Sequence, residues 1–393
     1  MADRGLPEGV AALVPRYLAR QRWYPGTGAP QQMSVVAGEE LWRSPDGLCR
    51  LLWALVEADD GTYQLLIGER PDGERADFLN AHETSVLGSV GGHYYYDAAL
   101  DPDMARALLP LASGGEQHAE RVRPITAEQS NTSLVYDDRL ILKVFRRLAP
   151  GPNPDAEVTT ALVAAGFSHA AAPLVRWQRE GWDLAFGQQY LSGGSEGWAL
   201  ALTSLRDFYA SPGADPAQSG GDFASEAARL GRVTAELHLA MARAYGVDRR
   251  LLADRYWPDL VASVEQRLAP AVADLGGGMA EAAARFSDRL AQVKDPGPAI
   301  RVHGDYHLGQ VMRTDAGWYV LDFEGEPARP VGERLRPSSP LKDVAGMTRS
   351  LDYASRVALG ERGGGDIPEL EAKALAWERH NREAFLGGYR ATR

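Results

Sequence analysis

The chain has 393 residues, 45% of them hydrophobic, and a formal net charge of -11. It is too long for one small domain and apolar enough to bury two or three cores, while no uninterrupted apolar run approaches the width of a bilayer. The acidic balance argues against nucleic acid as a partner, and the single Cys49 with a start (Met1-Ala2-Asp3-Arg4-Gly5) unlike a secretory signal makes a cytoplasmic protein the expectation.

In chain order, Val10 to Arg20 has the apolar spacing of an amphipathic helix, closed by Arg22-Trp23-Tyr24-Pro25-Gly26. A strand-rich block follows at Met33 to Trp42, Leu48 to Glu57 and Tyr63 to Glu69, with Asp59-Asp60-Gly61 as a hairpin turn. The Tyr94-Tyr95-Tyr96 run and Met104 to Leu111 continue this block up to a polar break at Gly114-Gly115. Beyond it, Arg123 to Thr126 and Ser133 to Tyr136 flank the polar loop Glu128-Gln129-Ser130-Asn131-Thr132. Leu140 to Phe145 is a third strand, a helix bearing Asp155 and Glu157 runs towards Ala165, and Leu184 to Leu191 is strand again.

The remainder reads as mostly helical. Helices are expected over Phe223 to Ala244, Leu260 to Leu268 and Met279 to Val293, and a helical hairpin over Ile367 to Tyr389. The stretch from Ser211 to Gly221 has the composition of a flexible loop.

Within this helical part lies Val302-His303-Gly304-Asp305-Tyr306-His307-Leu308-Gly309-Gln310, followed by Leu321-Asp322-Phe323-Glu324. An acid, an amide five positions later and a second acid before Phe is the spacing with which protein kinases hold the acceptor hydroxyl and magnesium. Phosphoryl oxygens repel carboxylates, so a magnesium ion must stand between them, and it takes oxygen ligands. On this reading Asp305 receives the hydroxyl proton, and Gln310 and Asp322 hold Mg2+. His-Gly-Asp alone also suits a plain turn, but no turn requires Gln310 and Asp322 at those offsets.

Lysine is scarce here, with four in the chain: Lys143, Lys294, Lys342 and Lys373. Lys143 sits late in an apolar strand whose alternate side chains face opposite sides, so it can reach the phosphates of ATP. Glu157 on the next helix is placed to pair with it. The polar loop with Ser130 stands where a glycine-rich phosphate loop would be, and its hydroxyls and amides can cover phosphates. Gln189-Tyr190-Leu191 is the expected hinge, with Gln189 and Leu191 meeting adenine through their backbone. A metal-dependent hydrolase built on His303, Asp305 and His307 is a competing reading, but it leaves Lys143, Glu157 and the downstream spacing unexplained. A pseudokinase or regulatory binding module is the non-enzyme alternative, and the intact acids argue against it.

Taken together, these segments resemble the aminoglycoside phosphotransferase branch of the protein-kinase-like fold. More narrowly, they are similar to bacterial maltokinases and their actinobacterial glucosamine kinase relatives. The resemblance is carried by Arg22-Trp23-Tyr24-Pro25-Gly26, HGDYHLGQ, DFEGEP, Pro340 to Met347, and Trp377-Glu378-Arg379-His380-Asn381 with Gly387-Gly388-Tyr389. It implies an α+β bilobal fold with an N-terminal α+β cap: cap and intermediate subdomain over 1–112, kinase N-lobe over 113–191, and a mostly helical C-lobe over 192–393. It implies Asp305 as base, Gln310 and Asp322 as magnesium ligands, Lys143 as phosphate partner, and Glu324 in support of the metal or the acceptor. The acceptor would be a sugar or amino sugar beside Asp305, walled by His307, Trp377, Glu378 and Asn381. Tyr306 in the loop, together with Pro25 and Thr27 near Trp23, favours the glucosamine kinases over the maltokinases, with Glu378 as the acid beside the amine. Neither nucleic acid nor membrane is an expected partner, and the oligomeric state is not written in the sequence.

Overall fold

The computed structural model describes residues 5–59, 61–73, 76–80, 82–125, 130–211, 213, 215–251, 257, 262, 266, 277–293, 295–326, 331–362 and 367–392. The helix expected over Leu260 to Leu268 lies almost wholly outside them, as do Glu128 and Gln129 of the polar loop. The chain forms two compact units, one of residues 1–160 with 171–192 and the other of residues 161–170 with 193–393.

The first unit is built on two antiparallel sheets. Strands β1 (Met33–Arg43), β2 (Arg50–Ala58), β3 (Gly61–Pro71), β4 (Val86–Val90) and β5 (His93–Asp97) lie in the order β1-β2-β3-β5-β4. Strand β2 is apolar at nearly every position because both of its faces are covered. Leu51, Trp53 and Leu55 enter one core, and Leu52, Ala54 and Val56 enter the other. The second core is closed by Val10, Val14, Tyr17 and Leu18. The helix expected from Val10 to Arg20 is broken there into a 3-10 turn at Val10–Ala12 and α1 (Val14–Leu18). Pro15 accounts for the break, since proline is accepted in a first turn but not in a helix interior.

The first core continues through α2 (Pro102–Ala112) into the second sheet. That sheet comprises β6 (Val122–Ile125), β7 (Asn131–Tyr136), β8 (Leu140–Phe145), β10 (Pro173–Arg179) and β11 (Trp182–Gln189), ordered β10-β11-β8-β7-β6. One core therefore runs across residue 112, where a division was expected. Asp137 and Asp138, both with φ near +50°, begin the three-residue loop Asp137-Asp138-Arg139 that turns β7 back into β8. After β8 the chain passes into the short β9 (Arg147–Leu148), which pairs with β3 of the first sheet. Buried Gln64 of β3 ties the sheets together, donating to the Phe145 and Leu184 carbonyls at 2.9 Å and accepting from Trp53 Nε1 at 3.0 Å. Arg146, fully buried between β8 and β9, donates to both oxygens of Asp97 at 2.7 and 2.8 Å and to Thr132 Oγ1 at 2.8 Å. Tyr17 donates to the same Asp97 at 2.7 Å, and Trp23 lies under the guanidinium.

The second unit is largely helical. Its helices include α4 (Gly197–Ala210), α5 (Ala224–Tyr245), α6 (Gly277–Ala291), α7 (Leu341–Arg362) and α8 (Ile367–Ala391). The expected C-terminal helical hairpin is instead the single 25-residue α8. Gly388 does not break it: a Cβ there would lie 2.0 Å from the Ala228 carbonyl, so glycine lets α8 pack closely on α5. The short strands β12 (Ser195–Glu196), β13 (Val311–Thr314) and β14 (Gly317–Val320) form a third sheet. Val311 pairs with Val320, so the hairpin β13–β14 brings residue 310 beside residues 321 and 322.

The Arg146–Asp97 pair tests the joint between the two sheets. Asp97→Ala leaves a buried guanidinium without its carboxylate and is expected to cost about 3–5 kcal/mol in chemical denaturation. A loss below about 1 kcal/mol, the range of an exposed pair, would contradict this view of the joint.

Candidate active site

In the first unit, strand alternation decides what Lys143 faces. Leu140, Leu142 and Val144 enter the core, and Lys143 points to the opposite face. Its ammonium donates to Asp155 Oδ2 at 2.8 Å, and Asp155 is buried in the first turn of α3 (Pro154–Ala164). Asp155 thus takes the place beside this lysine that the sequence reading gave to Glu157. The helix starts at Pro154, and its Asn153 cap receives the Asp155 amide at 2.9 Å, which turns position 155 towards the sheet. Glu157, further along the same turn, lies within electrostatic range of Arg176. Ser130 is exposed at the entry to β7. At the expected hinge, the Gln189 amide is bonded to the Ala172 carbonyl and the Tyr190 amide to the Arg139 carbonyl, both at 2.8 Å. The Gln189 backbone amide is therefore committed, and Leu191 is the next backbone donor along the chain.

In the second unit, the segment from Val302 to Gln310 is held by one carboxylate. Asp343, buried in the first turn of α7, accepts the His303 amide at 2.8 Å and the Gly304 amide at 2.9 Å. It also faces His238 Nε2 of α5 at 3.1 Å, and Tyr389 of α8 closes the chain on His238 Nδ1 at 2.9 Å. Burial alone would raise the Asp343 carboxyl. The His238 hydrogen bond, the charges of His238 and His303 and the Gly304 amide outweigh it and hold the group below its ordinary value of 3.8. A carboxylate depressed on folding stabilises the fold above its unfolded pKa, and that contribution fades as pH falls through the folded value.

Further contacts fix the rest of the loop. His303 Nε2 meets the Leu321 carbonyl at 2.9 Å, so this ring nitrogen carries the proton. The same ring packs against Tyr306 and Phe323. Tyr306 is buried with its hydroxyl 2.9 Å from Thr234 Oγ1, and Ser350 accepts the Leu308 amide at 3.1 Å. Gly346 allows α7 to touch the loop, because a Cβ there would lie 2.5 Å from the Tyr306 carbonyl.

This bracing leaves Asp305 partly exposed, with His307 Nε2 3.9 Å from its Oδ2. Just past the loop, the Gln310 amide donates to Asp322 Oδ2 at 3.3 Å, and the Leu321 amide returns to the Gln310 carbonyl at 2.9 Å. Asp322 has φ +59°, a left-handed conformation that is costly for a residue with a side chain and is found where the surroundings impose it. An amide oxygen beside a carboxylate is the hard oxygen donor set that suits magnesium. Glu324 is half-buried one residue beyond Phe323.

A cavity of about 760 Å³ opens beside Asp305 and His307. Its other walls are Glu196 and Trp198 at the start of α4, Glu326, and Lys342, Arg349 and Tyr353 along one face of α7.

The sequence profile of the phosphotransferase enzyme family matches residues 121–371, and that of the maltokinase N-terminal cap domain matches residues 17–101. The glucosamine kinase of Mycolicibacterium smegmatis is 31% identical over 291 residues, which is 71% of this chain and 69% of that protein. The glucosamine kinase of Streptacidiphilus jiangxiensis is 31% identical over 312 residues, 74% of this chain and 66% of its own length. The chain belongs to the phosphotransferase enzyme family. A solved glucosamine kinase in complex with glucosamine, ADP and inorganic phosphate superposes with a TM-score of 0.65 at 24% identity, covering 98% of this chain and 87% of that one. The two share a fold.

Three residues expected as acceptor walls have other places in this phosphotransferase. Trp377 is buried, stacks on Phe223 and donates to Ser204 Oγ at 2.9 Å. Asn381 is fully buried and donates to the Trp377 carbonyl at 2.8 Å, one turn back in α8. Glu378 is buried against Arg382 at 3.3 Å, and burial raises its carboxyl above the ordinary range. Among the described residues none of the three lines the cavity; they pack α8 instead. Of the expected walls, His307 does line it. The residues that sequence reading missed are Glu196, Trp198, Arg349 and Tyr353. The last two fall with Lys342 at helical spacing along α7, a stripe visible only once the helix is placed.

The close contact at Gly346 gives a test. Gly346→Ala should lower turnover about 10–100-fold by pushing on the Tyr306 carbonyl, since small misplacements of reacting groups are costly. Gly360→Ala on the same helix, where a Cβ meets nothing within 4 Å, serves as the control. Equal activity of the two variants in steady-state assays would contradict the bracing role.

Proposed function

We propose that this phosphotransferase is an ATP-dependent sugar kinase that transfers the γ-phosphate to a sugar hydroxyl, the 6-hydroxyl of glucosamine being the acceptor. The observation that carries the reading is a partly exposed carboxylate, Asp305, in a loop held by a buried brace and lining a cavity, with Gln310 and Asp322 side by side directly downstream in the fold. Similarity to two glucosamine kinases supports the choice of acceptor.

In this mechanism the acceptor hydroxyl gives its proton to Asp305. Its oxygen forms a bond to the γ-phosphorus as the bond from that phosphorus to the β–γ bridging oxygen breaks, and ADP leaves with that electron pair. Lys143, fixed by Asp155, faces the negative charge of the nucleotide phosphates. Gln310 and Asp322 would hold Mg2+, which when bound offsets charge on the phosphate oxygens. Ser130 and the Leu191 amide remain the candidates for contacting phosphate and base. Glu324, beyond Asp322, supports the metal side. Glu196 and Glu326 are the acids that face the cavity, and they replace Glu378 as partners for an amine. Glu196 makes no capping bond to α4, which leaves its carboxylate available. The match of residues 17–101 to the maltokinase cap favours a second reading, phosphorylation of maltose to maltose 1-phosphate.

Asp305→Asn should lower kcat about 10²–10⁴-fold, the range of a lost general base, with little change in nucleotide affinity. Coupled ADP release over glucosamine, N-acetylglucosamine, glucose and maltose tests the acceptor. Fastest turnover of maltose would favour the second reading, and an unaltered rate in Asp305→Asn would remove the base.

A further inference from the structure

The cavity beside Asp305 is larger than one sugar ring needs. It encloses about 760 Å³, whereas a hexosamine packed at protein density occupies roughly 200 Å³. Neither Gln310 nor Asp322 lines it, so the surplus lies on the acceptor side of Asp305. Besides Tyr306 of the loop, its walls carry two further aromatic rings. Trp198 in the first turn of α4 and Tyr353 on α7 have ring centroids 5.6 Å apart, with planes inclined by 35°. Tyr353 is 61% exposed, although rings of this size are mostly buried elsewhere in the unit. Lys342, Gly346, Arg349 and Tyr353 follow at steps of four, three and four, which places them on one face of α7. Lys342 and Arg349 are exposed and have no ion-pair partner among the described residues.

We propose that the Trp198–Tyr353 pair is a second sugar subsite, and that the acceptor is an amino sugar carrying a further sugar ring on its anomeric oxygen. The proposal rests on the amino-sugar kinase reading above. The C–H face of a pyranose is apolar while its edge is ringed with hydroxyls. It therefore fits aromatic faces flanked by donors such as Lys342 and Arg349. Tyr353 stands open to solvent, and an arriving ring would cover it. The 6-hydroxyl at Asp305 leaves the anomeric oxygen of the same ring free to carry the second ring along the cavity. The chemistry is unchanged: the 6-oxygen bonds to the γ-phosphorus, its proton passes to Asp305, ADP leaves, and the glycosidic bond stays intact.

The test compares glucosamine with its β-1,4-linked disaccharide, following kcat/KM by ADP release in the native protein, Tyr353→Ala, Tyr353→Phe and Trp198→Ala. The disaccharide is expected to be preferred about tenfold, and Tyr353→Ala and Trp198→Ala to remove most of that preference. Tyr353→Phe should keep it, because the ring face rather than the hydroxyl makes the contact. Turnover of glucosamine with no preference for the disaccharide, or equal losses on both sugars in Tyr353→Ala, would overturn the subsite and leave the glucosamine reading standing. Turnover of neither sugar would overturn both.

Discussion

A single buried carboxylate organises the helical unit. Asp343 accepts two consecutive backbone amides, of His303 and Gly304, and a ring nitrogen of His238. Two amides converging on one acid can be satisfied only in one arrangement of the loop, and burial makes any other arrangement expensive. From that anchor the loop geometry follows outward. His303 reaches the Leu321 carbonyl, Leu321 and Gln310 pair across the hairpin, and Asp322 is pressed into its left-handed conformation. Asp305 is what this frame leaves partly exposed.

The first unit uses the same device with a different charge. Arg146 leaves the lysine-bearing strand and is buried against Asp97, while β9 and Gln64 join the two sheets. The N-terminal segment is therefore bound into the core that supports Lys143. Its Trp23 and Tyr17 meet Arg146 or its carboxylate partner directly. Trp23 of the Arg22-Trp23-Tyr24 segment is thus structural, packed on Arg146, three residues beyond Lys143.

Legibility in the sequence divides along the range of the interactions. The spacing from Asp305 to Gln310 to Asp322 is local, and a short hairpin brings Gln310 and Asp322 together. Strand alternation likewise pointed Lys143 away from the core. The carboxylate bonded to that lysine, Asp155, lies two positions before the expected Glu157, because the turn of α3 towards the sheet is set by Asn153 and Pro154 rather than by residue type. Trp377 and Asn381 were assigned to the acceptor because aromatic and amide groups suit sugars; the packing of α8 against Phe223 and Ser204 is a long-range fact that no local pattern carries. The reason for Gly388 is equally long-range, since the Ala228 backbone that needs it is far away in sequence. The cavity was invisible because its walls come from four separated stretches, around residues 196–198, 304–309, 326 and 342–353.

The central claim is direct transfer of the γ-phosphoryl group from ATP to a sugar hydroxyl whose proton passes to Asp305. The most direct measurement is phosphorus NMR of the products formed from ATP and glucosamine, with proton–phosphorus correlation to locate the ester. The expected result is one phosphomonoester coupled to the protons of carbon 6, formed in equal amount with ADP. Inorganic phosphate as the sole phosphorus product beside ADP, or no sugar-dependent loss of ATP, would contradict it.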